Sequence, residues 1–169
     1  MKFVFNASPL IHLARAGLAS LIEELEGEKY TVPAVFHEVV EVGKSMGYAD
    51  ALVSEELINK RILTVKSPQT RTLRTISGAH RDLHAGESEV IALSKEIGAT
   101  AILDDSIARA IANMHNVRTE GTHMIIFRAL QKGVIDKAHA ENCLERLISS
   151  GWRCDVELYN RLMRILRES

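Results

Sequence analysis

Five short apolar runs, separated by helical stretches, constrain this chain more than any other feature. Lys2–Phe5, Tyr30–Val32, Ile62–Val65, Thr100–Leu103 and Asn116–Thr119 read as strands. Strands that alternate with helices predict a parallel sheet with both faces covered. The first helix follows Asn6-Ala7-Ser8-Pro9, where Asn6 or Ser8 can cap and Pro9 suits the first turn. Its apolar positions run from Leu10 to Leu25, with Gly17 weakening the middle and Gly27 marking a stop. Pro33 opens a helix that carries Val35, Phe36, Val39, Val40 and Val42, and another helix is predicted over residues 48–60. Further helices are predicted from Gly86 to Gly98, from Ile107 to Met114, from Gly121-Thr122 to Gly133, and over residues 136–149 and 155–167. Residues 66–85 show no period and read as a long basic loop with Lys66, Arg71, Arg74 and Arg81.

A chain of 169 residues suits one domain spanning 1–169, with the helices of about 134–169 packed on it. The composition, 46% hydrophobic and 25% charged, excludes a disordered chain, a collagen-like fibre and a disulfide scaffold. A formal net charge of −1 argues against indiscriminate coating of nucleic acid, while leaving room for a local basic groove. Cys143 and Cys154 fit no common zinc spacing and read as reduced, mostly buried thiols. No long apolar segment follows the N-terminus, and no run approaches the roughly 20 residues of a membrane helix. The expected location is the cytoplasm, with no membrane partner.

Ligands of open α/β sheets bind beyond the carboxyl ends of the strands. Asn6 and Ser8 follow the first strand, Glu38 lies shortly after the second, Asp104 and Asp105 follow the fourth, and Gly121 and Thr122 follow the fifth. Glu87 and Glu89 open the helix before the fourth strand. Each of these acids alone is also explained as a cap, a dipole-compensating first-turn residue or a solvated side chain. Together they repel unless protons or a cation intervene. Oxygen-only donors suit Mg²⁺ or Mn²⁺ better than zinc, and such an ion serves phosphodiester hydrolysis.

The segments Val4–Ile11, Val32–Val35 with Glu38-Val39, Gly86–Leu93, Ile102–Asp105 with Ala108-Arg109, and Gly121-Thr122 resemble the PIN-domain superfamily. The resemblance runs from residue 2 to about 165, in order, and is nearest the poorly characterised prokaryotic branch similar to VapC-type toxin nucleases. It implies a three-layer α/β/α sandwich around a parallel sheet, an acidic site for Mg²⁺ or Mn²⁺, and cleavage of single-stranded RNA. It implies catalytic roles for Asp105, Glu87, Glu38 and Asn6, and metal ligation by Asp105, Glu87, Asp104 and Glu89. Of the two aspartates, Asp105 is the better match. Ser8 and Thr122 match residues that line the site. Relatives commonly pair, so a homodimer is expected, with apolar stripes at Leu144, Leu147, Ile148 and at Leu158, Leu162, Ile165, Leu166 as its face or as cover for the core. An antitoxin protein is a further implied partner.

The chain departs from the family at Asn6, where an aspartate is usual. An amide oxygen can ligate a metal but adds no charge and cannot act as a base. The alternative reading is therefore a non-catalytic module that binds RNA or protein. A receiver-like phosphorylation domain built on Asp104-Asp105 is a third reading, disfavoured by the order of elements and by Glu38 and Glu87. His80 and His84 have the spacing of a helical metal pair but no evident third ligand. Arg109 suits a surface ion pair or an RNA phosphate, and His123 suits a helix start or a phosphate contact. No Walker A or Gly-x-Gly-x-x-Gly sequence is present, and Trp152 with three tyrosines is too sparse for a base-stacking platform.

Overall fold

The computed structural model describes residues 1–168. Strand β1 (Lys2–Phe5) leads into α1 (Ala7–Arg15) and the short α2 (Ser20–Glu23). Then come β2 (Glu28–Thr31), α3 (Pro33–Phe36), a π-helical segment His37–Val42 that continues it, α4 (Gly43–Ser45) and α5 (Ala49–Asn59). Strand β3 (Thr64–Val65), α6 (Thr70–Ala79), α7 (Ala85–Ile97), β4 (Thr100–Ile102) and α8 (Ser106–Met114) follow. The chain ends with β5 (Thr119–Glu120), α9 (His123–Gln131), α10 (Lys137–Ser149) and α11 (Val156–Glu168).

All strand pairs are parallel, in the order β3-β2-β1-β4-β5. Helices on both faces make this a three-layer α/β/α sandwich, as the alternating pattern predicts. The central strands are buried on both sides: Phe3, Val4 and Phe5 of β1 and Ala101 and Ile102 of β4 are at most 1% exposed. The two edge strands have two residues each, which limits unpaired backbone at the rims. This order also excludes the receiver-like alternative, whose sheet runs 2-1-3-4-5.

Two expectations change, and one open alternative is decided. The single helix predicted over Leu10–Leu25 is two helices, because Gly17 adopts φ 67°, a left-handed conformation that ends α1. The supposed loop 66–85 contains α6. Its one fully buried side chain is Ile76, with Leu73 partly packed, so the apolar signal is thin. Packing on α7, and Glu96 Oε1 accepting from the Gln69 N–H at 2.8 Å, make the helix. Finally, the C-terminal stripes face inward. Leu144, Leu147, Leu162 and Leu166 are buried in the chain's own core, and only Ile165 among the seven stripe residues is exposed.

No helix among the described residues is long and apolar enough to cross a membrane.

Candidate active site

The topology decides where a ligand can sit. From β1 the chain winds outward to β2 and β3, then returns across the sheet to β4 and β5. The switch point therefore lies between β1 and β4, at their carboxyl ends. The register Phe5↔Ile102, continued by the Asn6 N–H donating to Ile102 O at 3.2 Å, brings the ends of these strands together. A cleft of about 590 Å³ opens there, and Asn6, Ser8, Glu87, Asp104, Asp105 and Arg109 all line it.

Asp104 is the most heavily bonded of the acids. Its Oδ1 accepts from the Thr122 N–H at 2.9 Å, and its Oδ2 accepts from the hydroxyls of Thr122 at 2.7 Å and Ser8 at 3.1 Å. The loops after β1, β4 and β5 are thus tied through one carboxylate. Thr122 is fully buried, so these bonds fix Asp104 against a rigid floor. Asp105 is exposed and caps α8, its Oδ1 accepting from the Ala108 N–H at 2.8 Å. The two adjacent aspartates therefore divide the work: Asp104 joins the strand ends, while Asp105 caps a helix at the edge of the same cleft.

Glu87 is 8% exposed and sits in the first turn of α7, where its Oε2 accepts from the His84 N–H at 2.9 Å. Asn6 is also 8% exposed. Gly86 lets α7 approach it: a Cβ at Gly86 would lie 3.0 Å from Val35 Cγ2 and 3.3 Å from Asn6 Oδ1. Glu38 is exposed, lies in the π-helical segment and lines a second cavity of about 420 Å³, whose walls also include Asn6, Ser8 and Glu87. Asn6 and Glu87 thus form the partition between the Glu38 cavity and the aspartate cleft.

Glu89 is not brought to either cavity. Its Oε2 accepts from the Ala34 N–H at 2.9 Å, satisfying an orphan amide at the start of α3. The His80–His84 pair also dissolves. These residues flank the gap between α6 and α7, and His80 Nε2 instead meets His115 Nε2 at 2.9 Å. Arg109 forms no ion pair among the described residues, so of its two readings, surface ion pair and phosphate contact, the first is absent.

Several cleft residues carry no clear mark of a site in the sequence. His12 of α1 lines it, its Nδ1 3.3 Å from Ser150 Oγ, and Trp152, Arg153, Asp155 and Leu158 enter from the C-terminal hairpin. His123 sits beside Gly121, where a Cβ would meet its Cε1 at 2.9 Å, and its ring lies 5.5 Å from that of Trp152. Its Nδ1 is buried without a partner among the described residues.

Burial lowers the pKa of both His123 and His12 from 6.5, and nearby Asp104 only partly opposes this. Below about pH 6.5 the unfolded chain protonates these imidazoles more readily than the folded one, so acid draws the equilibrium toward unfolding. Thermal melts should be flat in pH above that value on account of these groups and fall as pH drops through the lowered folded pKa values. The drop should be smaller in His123→Gln.

Asn6, Glu87, Asp104 and Asp105 offer hard oxygen donors, the kind Mg²⁺ and Mn²⁺ take. No group of three or more His, Cys, Asp or Glu side chains among the described residues is disposed to hold a metal ion. The donors fit an ion held by one or two carboxylates, with water and substrate phosphate completing its shell, rather than a closed protein cage.

A parallel α/β/α sandwich with carboxylates at the switch point places its acids where an open α/β sheet binds its ligand. The chain matches the family model of the PIN domain over residues 2–168 and belongs to that family. PIN domains are usually nucleases and generally use divalent metal ions. No curated protein matches the chain.

Proposed function

We propose that this chain is a Mg²⁺- or Mn²⁺-dependent endoribonuclease that cuts single-stranded RNA. The observation that carries this reading is the meeting of Asn6, Glu87, Asp104 and Asp105 on one cleft at the sheet's switch point. In this reading one or two of the carboxylates of Glu87, Asp104 and Asp105 would hold the ion, and the Asn6 carbonyl would add a neutral donor. An ion held there would lower the pKa of a coordinated water and offset charge developing on the phosphate. Ser8 and Thr122 hold Asp104 in place, and Glu38 orients water from the adjoining cavity. Arg109 contacts an RNA phosphate.

The resemblance supports finer readings, a toxin with an antitoxin partner and a homodimer, while a cytoplasmic location and one functional domain over the whole chain are expectations from the sequence itself. A non-catalytic binding module is the second reading, favoured by Asn6 and by the lack of a three-donor cage among the described residues.

Calorimetric titration with Mn²⁺ and cleavage of a labelled RNA oligonucleotide distinguish the two readings. Glu87→Gln and Asp105→Asn should each weaken Mn²⁺ binding and lower cleavage together, by roughly tenfold or more. Wild-type binding of RNA without cleavage at saturating Mn²⁺ would favour the module.

A further inference from the structure

The cleft is lined by both signs of charge. Glu87 from the start of α7 and Asp104 and Asp105 after β4 are its acidic lining. Arg109 from α8 and Arg153 from the turn between α10 and α11 form its basic wall. The Arg109 Nη1 lies 3.4 Å from where a Gly121 Cβ would stand, and His123 packs on the same spot. These two arginines come from separate parts of the chain, and neither forms a salt bridge among the described residues.

Like charges so gathered repel one another, and an anion among them removes that repulsion. The carboxylate nearest this wall in sequence, Asp155, has an oxygen engaged in capping α11, accepting from the Leu158 N–H at 2.7 Å. Guanidinium groups match phosphate oxygens in geometry as well as charge. About 590 Å³ is room enough for more than a hydrated ion.

We propose that Arg109 and Arg153, backed by His123 and Trp152, form a second phosphate subsite that grips the single-stranded RNA backbone beside the phosphate presented to the acids. The subsite rests on the nuclease reading for its substrate. It makes the C-terminal hairpin half of the substrate site, with its buried stripe fastening it to the core. Trp152 is buried and supports His123 instead of stacking on a base.

The test uses the full chain and a fluorescent single-stranded RNA oligonucleotide in EDTA, where binding is read without cleavage. Arg153 is exposed and Arg109 is half-buried without an ion pair, so truncation of either leaves the core intact. Arg153→Ala and Arg109→Ala should each weaken binding roughly fivefold or more. Each should also reduce the salt slope, by about 0.7 for every single-strand phosphate that the variant no longer neutralises. Arg167→Ala, at the far end of α11, should bind as wild type. With Mn²⁺ present, the two cleft variants should raise KM more than they lower kcat. If wild type cleaves RNA and both variants bind as wild type does, the subsite is overturned and the nuclease reading stands. If binding in EDTA depends on these arginines but wild type never cleaves, the subsite stands and the nuclease reading falls. Arginine-dependent binding of an acidic peptide, with no such dependence for RNA, overturns the subsite in favour of a protein ligand. Absence of both RNA binding and cleavage in wild type overturns both.

Discussion

Asp104→Asn should lower RNA cleavage by roughly two orders of magnitude or more while leaving the fold nearly intact. The separation follows from the hydrogen bonds. The asparagine carbonyl can still accept from the Thr122 N–H, as Oδ1 does at 2.9 Å. Its amide then faces the Ser8 and Thr122 hydroxyls, which donate to Oδ2 in the wild type. Hydroxyls turn readily from donor to acceptor, so the structural cost should be about 1 kcal/mol. The missing negative charge has no such remedy, because a neutral amide neither offsets a divalent ion nor holds it as firmly. Asp104→Ala differs: it leaves the Thr122 N–H without its acceptor and should cost about 1–3 kcal/mol of stability as well. Parallel melts and cleavage assays of both variants check this. Full cleavage by Asp104→Asn would mean that Asp104 only ties the three loops together.

Asn6→Asp should raise Mn²⁺ affinity about tenfold, equivalent to about 1.4 kcal/mol, and raise cleavage with it. Aspartate has nearly the shape of asparagine, so the 8% exposed site beside Gly86 can accept it with little repacking. The new carboxylate joins Glu87, Asp104 and Asp105 on the same cleft. Without metal it repels them, so the apo variant should melt below wild type at neutral pH. With Mn²⁺ that repulsion becomes attraction, and the metal-induced rise in melting temperature should exceed that of wild type. Equal rises in the two proteins would remove Asn6 from the metal shell.

Much of this fold was legible because its signals are local. Strand β1 is a run of three buried apolar residues, and Pro33 and Gly98 bound helices through their own backbone preferences. The gathering of acids was also legible, since helix starts and strand ends meet at one edge of any parallel sheet. Choosing among neighbouring acids was not. Asp104 and Asp105 are adjacent in sequence, yet Asp104 meets Ser8 and Thr122, 96 and 18 residues away, while Asp105 caps its own helix. Glu89, two residues beyond Glu87, faces α3 because successive helical positions point about 100° apart.

Tertiary packing alone made α6 a helix, since two apolar side chains are too few to show a period until α7 receives them. It also drew the C-terminal hairpin over the cleft. The sequence shows amphipathic stripes there but cannot say what they cover, because burial of apolar area carries no direction. The fold turns those stripes onto its own core, and that orientation sets Trp152 and Arg153 beside His123, about 30 residues earlier in the chain.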